Sequence, residues 1–129
     1  MIYNDNQEYS VKYYKDLKTG RTPVKEYILG LDVKQRAKVA RYIKLLKINQ
    51  GYLDEPYSRH ISGKIRELRV DIRRSHNRIF YFTFVGKNII LLHAFLKKTG
   101  KTPPQEIVKA EQNYCQFIIN NESYESYET

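Results

Sequence analysis

Basic residues and two carboxylates are concentrated in one stretch of this 129-residue sequence. Arginine holds a phosphate through two parallel hydrogen bonds, and a lysine or carboxylate transfers protons when its pKa is shifted. Cutting RNA without a metal needs a base for the ribose 2′-hydroxyl, cations for the phosphate and a donor for the departing oxygen. The residue types therefore predict a phosphate-binding site that also supplies the base and the proton donor. The members, with three later lysines, are Arg59, Lys64, Arg66, Glu67, Arg69, Asp71, Arg73, Arg74, Arg78, Lys97, Lys98 and Lys101.

Strand alternation groups these side chains by face. In the first of three predicted strands, Glu67 and Arg69 share one face. In the second, Arg78 shares a face with the phenylalanines that follow it, and in the third, Lys97 and Lys98 take opposite faces. The sequence does not fix which faces coincide across strands. Convergence of these charges on one phosphate-sized spot is therefore a hypothesis for the structure to test.

Each candidate also has a purely structural interpretation. Glu67 and Arg69, two residues apart on a strand, can form a same-face ion pair. Arg78 can cap a sheet edge, and His93 within an apolar run is typical of a core histidine. Residues 97–101 form either a solvated loop or a phosphate-holding one, and they lack the glycine spacing of a nucleotide-binding P-loop.

The charge balance points to a polyanionic partner. Lysine and arginine total 23 against 14 acidic residues, which gives a formal charge of +9 and a pI near 9.6. Nucleic acid is favoured over a membrane, because phosphate contacts dominate nucleic-acid binding and no strongly apolar surface helix accompanies the charge. A basic protein that is merely soluble is the alternative that composition leaves open.

The remaining composition predicts a cytoplasmic protein without a metal or another cofactor. The three histidines show no metal-binding spacing, and the single cysteine, Cys115, is expected to be a small core residue on a helix. The first twenty residues lack the pattern of a signal peptide, and no apolar run is long enough to span a membrane.

The hydrophobic periodicity and the positions of turn and capping residues predict an α+β domain of order β-α-α-β-β-β-α. A first strand is expected over residues 9–15, a helix over 22–30, and a second helix from Asp32 to about residue 51, with Asp32 and Gln35 as a capping box. The second helix has a basic face that can meet RNA, an acidic partner or solvent. A meander over 64–72, 78–85 and 88–96 follows, joined by loops at 73–77 and 86–87. A last helix opens at Pro103. One domain is predicted over residues 1–119, with a disordered tail over 120–129.

Three motifs together resemble the phage-derived, HigB-like toxins of the RelE/ParE superfamily. They are residues 65–69 (IRELR), 78–82 (RIFYF) and 91–103 (LLHAFLKKTGKTP), followed by a helix of the pattern x-x-E-I-x-x-A. The resemblance covers about two fifths of the chain. It implies a RelE-like fold, in which two N-terminal helices and a C-terminal helix pack on a small twisted antiparallel sheet.

The resemblance also implies an activity, which is metal-independent cutting of mRNA on the ribosome by attack of the 2′-hydroxyl. By position, Arg69 and Arg78 match arginines that hold the scissile phosphate, and Lys98 matches a basic residue that assists the transition state or the leaving group. Glu67 stands where relatives of the RelE branch carry a lysine implicated in proton transfer, which makes a carboxylate base possible and leaves the identity of the base open. Further RNA contacts are expected from Lys64, Arg66, Arg73, Arg74, Phe95, Lys97 and Lys101.

The implied partners are mRNA, the ribosome and a HigA-like helix-turn-helix antitoxin, with operator DNA bound only through the antitoxin. Two alternatives stand beside this hypothesis. One is a non-catalytic, ParE-like toxin that inhibits a protein such as DNA gyrase, since the superfamily shares its fold across activities. The other is a plain RNA-binding module.

Overall fold

The computed structural model describes residues 9–98 and 100–128, with residues 122–128 described by their backbone alone. In this part of the chain there are three helices and one five-stranded sheet, so the predicted α+β class is confirmed. None of the helices in the described ranges is long and apolar enough to cross a membrane. The elements are β1 (Ser10–Tyr13), α1 (Pro23–Leu29), α2 (Val33–Ile48), β2 (Ser58–Ser62), β3 (Ile65–Ile72), β4 (Ser75–Phe84), β5 (Asn88–Lys97) and α3 (Pro104–Glu128).

The strand order is β1-β5-β4-β3-β2, and two features of it differ from the predicted meander. First, β1 runs parallel to β5, so the sheet is mixed rather than purely antiparallel. Second, β2 is an additional strand that pairs antiparallel to β3. Its sequence, SRHIS, has one strong strand former among polar residues, so strand propensity does not reveal it. Pairing with β3 makes it a strand.

The connection between β3 and β4 is shorter than predicted. Residues 75–77 pair with 70–72, so a two-residue turn at Arg73 and Arg74 replaces the expected loop over 73–77. Arg73 adopts the left-handed region, with φ of 54°, as the tight turns of hairpins require. Because residues 75–77 are polar, the sequence did not predict that β4 begins at Ser75.

Both faces of the sheet are covered, which agrees with the sequences of β4 and β5, since most of their residues are apolar on both faces. On one face, α1 and α2 pack through Val24, Val39 and Leu46 on Leu68, Val70, Ile79, Tyr81, Ile89 and Leu91. On the other face, α3 packs through Ala110, Tyr114 and Phe117 on Phe82, Phe84, Ile90 and Leu92. We call these the α2 face and the α3 face.

The predicted N-terminus of α2 is confirmed. The Asp32 carboxylate accepts a hydrogen bond from the Gln35 backbone N–H at 2.9 Å, and the Gln35 side chain donates to the same carboxylate at 3.1 Å. The helix ends at Ile48, earlier than expected, and the chain turns at Gly51, which has φ of 85°. A Cβ at Gly51 would lie 2.4 Å from Thr83 Oγ1, so only glycine fits this approach to β4.

One prediction about α3 does not match the structure. Cys115 is exposed, because it lies on the side of α3 turned away from the sheet. The bounds of α3 are Pro104–Glu128, and the predicted disorder of residues 120–129 stays a prediction.

Candidate active site on the α3 face

The register of β3, β4 and β5 brings the charged residues of the three strands to one face. Arg69 is the pairing partner of Arg78, and Arg78 is the partner of Phe95 on β5. Glu67 lies two residues before Arg69 and therefore shares its face, the α3 face. α3 packs on the far end of β4, at Phe82, so the arginines lie toward the opposite end. Strand alternation left open whether these charges converge, and the structure shows that Glu67, Arg69 and Arg78 lie together.

We call the resulting group the cation cluster. It consists of four cations around two carboxylates: Arg59, Arg69, Arg78 and Lys97 with Glu67 and Asp71.

Glu67 is the buried centre of the cation cluster, with 1% of its surface exposed. Its Oε1 lies 3.7 Å from Arg59 Nε and 3.9 Å from Arg69 Nε, and its Oε2 lies 4.0 Å from Arg78 Nε. These distances exceed the 2.7–2.9 Å typical of charge-assisted hydrogen bonds. The Thr102 hydroxyl, ahead of α3, is 3.4 Å from Oε2. Glu67 therefore attracts three guanidinium groups without binding any of them closely.

Arg78 is the most enclosed cation, with 2% of its surface exposed. Its Nη1 donates to Asp71 Oδ1 at 2.6 Å and to the Asn77 carbonyl at 3.0 Å. Partial burial alone would raise the pKa of Asp71, but the hydrogen bond and charge of Arg78, with a smaller contribution from His76, outweigh it and lower that pKa. Asp71 thus stays ionised and fixes one edge of the Arg78 guanidinium.

Among the described residues, two buried guanidinium N–H groups of the cation cluster have no hydrogen-bond partner, Arg69 Nε and Arg78 Nε. Leaving a buried donor unpaired costs about 1–3 kcal/mol, and more when the donor is charged. The nearest carboxylate oxygens, those of Glu67, lie 3.9 Å from Arg69 Nε and 4.0 Å from Arg78 Nε. The two guanidinium groups are therefore not tightly paired with Glu67, which suits a site that binds a further anion such as a phosphate.

Lys97, rather than its neighbour, faces the cation cluster. It pairs with His76 on β4 and shares a face with Phe95 and Arg78. Burial and the positive charge of Arg78 lower its pKa, and Glu67 acts in the opposite direction. Lys98 follows the end of β5 and is exposed. The structure therefore brings Lys97 to the site that the sequence resemblance assigned to Lys98.

His93 connects the sheet to α3. Its Nε2 lies 2.6 Å from Glu106 Oε1, and its ring stacks on Phe95 with centroids 5.8 Å apart. Phe95 is 8% exposed and also meets Phe80 edge-on. These contacts agree with the structural interpretation of His93, and they make Phe95 part of the packing beneath Arg78.

Arg66 lies on the opposite face from Arg69, although both belong to β3. Its guanidinium donates to the Ser58 hydroxyl at 3.1 Å and to the Leu53 carbonyl at 3.4 Å. It also lies over the Tyr52 ring, 4.6 Å from the centroid. Arg66 therefore anchors the segment that follows α2 and is not part of the cation cluster.

The other predicted RNA-binding residues are exposed and lie at two ends of the sheet. Arg73 and Arg74 form the β3–β4 turn, at the same end as Lys97, while Lys64 lies in the β2–β3 turn at the other end. Lys101 is exposed in the segment that leads to α3. The turn arginines thus extend the cation cluster along the surface.

Sequence reasoning missed the role of Arg59. It is the pairing partner of Glu67, but it lies on β2, the strand that propensity did not reveal. Thr102 was not among the predicted site residues, and its contact with Glu67 depends on how α3 approaches the sheet. In the sequence, strand alternation within the segment SRHIS is the one signal for the face on which Arg59 lies.

Within residues 9–98 and 100–121, no three His, Cys, Asp or Glu side chains are arranged to hold a metal ion. The charged groups of the cation cluster offer anion binding by arginine and proton transfer by lysine or carboxylate.

Comparison with known proteins gives a family. The family model described as Phage derived protein Gp49-like (DUF891) matches residues 26–115, more than half of the chain, and this range contains the whole cation cluster. No curated protein matches the sequence. The family is associated with toxins of toxin–antitoxin pairs of the RelE/HigB type. On this match, the chain belongs to the Gp49-like family of phage-derived proteins.

Proposed function

We propose that this protein is the toxin of a type II toxin–antitoxin pair and that it cuts mRNA on the ribosome without a metal. The 2′-hydroxyl gives up its proton and its oxygen forms a bond to the adjacent phosphorus, while the bond from phosphorus to the 5′ oxygen breaks and the departing oxygen receives a proton. The observation that carries the proposal is that Arg69 and Arg78 lie side by side on one face, with Nε–H groups that have no hydrogen-bond partner among the described residues.

In this proposal, Arg69 contacts the phosphate, and Arg78, buried beside it, stabilises the developing negative charge. Both are preorganised, because Asp71 fixes Arg78 and the strand pairing places the two side by side. Cations that are already in place where charge develops stabilise a transition state without reorganisation. Electrostatic terms of this kind change rates by about 10²–10³-fold for each donor removed.

Glu67 acts through the arginines in this proposal and not as the base. A general base must come within about 2.6–3.2 Å of the proton it removes, whereas Glu67 is 1% exposed and ringed by guanidinium groups. We therefore assign it the role of a positioning residue. Lys97, which has a lowered pKa and faces the same group, takes the proton-transfer role, and Lys98 is an outer RNA contact.

The proposal also includes the partners of this protein. Arg73 and Arg74 provide exposed cations for RNA beside the cation cluster. The protein acts in the cytoplasm, where its substrate is, and is controlled by a helix-turn-helix antitoxin through which alone the pair binds operator DNA.

The test is cleavage of mRNA on purified, translating ribosomes in the presence of a chelator, followed by primer extension. We expect discrete cuts from the wild-type protein. Arg69→Ala should lower the cleavage rate about 10²–10³-fold, and Arg78→Lys should also lose activity because a lysine ammonium cannot reproduce the planar guanidinium that Asp71 fixes beside Arg69. Arg66→Ala, on the same strand but the opposite face, should stay within a few-fold of wild type.

Circular dichroism of each variant separates loss of folding from loss of chemistry. Full activity of folded Arg69→Ala and Arg78→Lys would contradict the site. Growth arrest without any cuts would instead indicate a non-catalytic toxin acting on a protein target. We also expect Arg78→Ala to relieve growth arrest while the protein still binds its antitoxin.

A further inference from the structure

One row of side chains on the α3 face contains a histidine that has no role in the proposed function. The pairing register places Asp71 of β3, His76 of β4 and Lys97 of β5 directly opposite one another. The next row along the same face contains Arg69 and Arg78. Because alternate residues of a strand share a face, the two rows lie side by side. His76 therefore lies one row from the proposed phosphate site, next to the lysine that faces it.

The two nitrogens of the His76 ring have different surroundings. Nδ1 is buried and lies 3.2 Å from Oδ1 of Asp71. The side chain as a whole is 44% exposed, so the ring reaches solvent through its other edge, which carries Nε2. Asp71 stays ionised, and a negative charge beside Nδ1 favours the tautomer with the proton on that nitrogen. Nε2 then has a lone pair that can accept a proton.

The other two histidines of the chain use Nε2 for contacts within the protein. Nε2 of His60 lies 2.8 Å from the Gly63 carbonyl oxygen, and Nε2 of His93 lies 2.6 Å from Glu106 Oε1. Among the described residues, no group forms a hydrogen bond with Nε2 of His76. Of the three histidines in the described ranges, His76 is therefore the one whose exposed nitrogen is available to a substrate.

Cleavage through the 2′-hydroxyl needs two proton transfers, and one lysine does not supply both at once. The attacking oxygen loses a proton while the departing 5′ oxygen gains one, and the two oxygens lie on opposite sides of phosphorus. A protonated Lys97 serves only the departing oxygen. His76 and Lys97 are cross-strand partners, and such pairs have Cβ atoms about 4.5–5.5 Å apart. Both side chains therefore reach a single phosphate held beside Arg69.

We propose that His76 is the general base of this reaction and Lys97 its general acid, an inference that deepens the proposed function and rests on it. His76 Nε2 takes the proton of the 2′-hydroxyl as its oxygen bonds to phosphorus, and Lys97 gives a proton to the 5′ oxygen as its bond to phosphorus breaks. The products are a 2′,3′-cyclic phosphate and a free 5′-hydroxyl. Exchange with water then returns His76 to its neutral form and Lys97 to its charged form. Asp71 is a positioning residue, because it contacts both the His76 ring and the Arg78 guanidinium.

The dependence of cleavage on pH tests the base. The charged groups that face the His76 ring are Asp71 from β3, Lys97 from β5 and Arg78 from its own strand, and Arg74 is exposed in the turn before β4. Imidazole changes its protonation between about pH 5 and 8, so a neutral imidazole base gives a cleavage rate that rises with pH over this range.

The variant His76→Gln cannot accept the proton. On purified, translating ribosomes it should lose the rise with pH and cut about 10²–10⁴-fold more slowly than wild type. The matched control, His60→Gln, makes the same change at an exposed position of β2 and should keep the rise and a rate within about 2-fold of wild type. The variant His76→Asn provides a second side chain that does not titrate, and circular dichroism checks that each variant is folded.

A sulfur substitution in the RNA separates the base from the acid. The substrate is an mRNA in which sulfur replaces the 5′ oxygen of the linkage that primer extension identifies as the cleaved one. A thiolate departs without a proton, because thiols are far more acidic than alcohols. Lys97→Ala should therefore cut this RNA within about 10-fold of the wild-type rate, whereas His76→Gln should remain slow because the 2′-hydroxyl still has to lose its proton.

The outcomes distinguish this inference from the proposed function. A folded His76→Gln that keeps the wild-type rate would overturn the inference, and so would a lower rate with the rise retained, which indicates a structural role. Recovery of His76→Gln rather than Lys97→Ala on the sulfur-containing RNA would also overturn it. Absence of cuts by the wild-type protein would overturn the proposed function together with this inference, whereas cuts that do not depend on His76 would overturn this inference alone.

Discussion

Lys97 and Lys98 are neighbours in the sequence but have different surroundings. Lys97 is partly buried and faces the arginines, so burial and repulsion lower its pKa. Lys98 is exposed beyond the end of β5. A lowered pKa lets a lysine give up and take back a proton more readily near neutral pH. At the scale of the residue, geometry therefore separates two lysines that the motif K-K-T does not.

This difference gives a prediction for the two lysines. Lys97→Ala should reduce ribosome-dependent cleavage about 10²-fold or more, the size typical of lost acid–base catalysis, and Lys98→Ala should reduce it much less. If the protonated form of Lys97 is the active one, wild-type activity falls as pH rises through its pKa, which lies below 10.5. Lys97→Arg retains the charge and should lose that alkaline fall together with most of the rate. Cleavage rates across pH provide the measurement, and equal effects of both alanine variants would contradict the assignment.

Glu67 shows what residue-level reasoning can and cannot reach. The spacing of Glu67 and Arg69 predicted that they share a face, and they do. Burial of the carboxylate and the approach of Arg59 depend on β2 and on the sheet register, which spacing does not contain. The sequence left the identity of the base open, and the burial of Glu67 among guanidinium groups is why we propose a positioning role for it.

Asn77 shows how the elements around the site are joined. Its side chain accepts from the Tyr27 hydroxyl of α1 at 2.5 Å and donates to Gln35 of α2 at 2.9 Å and to the Val70 carbonyl of β3 at 3.2 Å. It is fully buried and adjoins Arg78 in the chain. One amide thus fixes both N-terminal helices to the strand that carries the buried arginine.

We predict that Asn77→Ala lowers the free energy of unfolding by about 2–4 kcal/mol, because it removes hydrogen bonds and leaves buried partners unsatisfied. Urea unfolding provides the measurement. Gln116→Ala, at an exposed position on α3, should change stability by less than about 0.5 kcal/mol. If Asn77→Ala is as stable as this control, the amide does not hold the helices to the sheet.

The elements themselves were predictable where local chemistry specifies them. Asp32 and Gln35 predicted the start of α2, and apolar residues on both faces of β4 and β5 agree with two covered faces. β2 was not predictable, since its polar sequence becomes a strand only beside β3. The parallel pairing of β1 with β5 was not predictable from local sequence either, because it joins residues far apart in the chain, such as Ser10 and Asn88.

At the scale of the whole molecule, the net charge of +9 is divided between two surfaces. The cation cluster and the β3–β4 turn form one, and α2 forms the other, across the sheet. A single value of pI cannot reveal this division.

The division predicts how salt affects RNA binding. Each phosphate contact contributes a slope of about −0.7 to the dependence of log K on log salt for a single strand. Arg73→Ala/Arg74→Ala should therefore weaken binding of a short single-stranded RNA and make the slope shallower by up to about 1.4. Lys25→Ala/Lys109→Ala removes the same charge from exposed positions of α1 and α3 and should leave the slope nearly unchanged. Fluorescence anisotropy over a salt series measures both. Equal loss of slope in the two variants would mean that RNA responds to overall charge, and the surface beside Arg78 would have no special role in holding it.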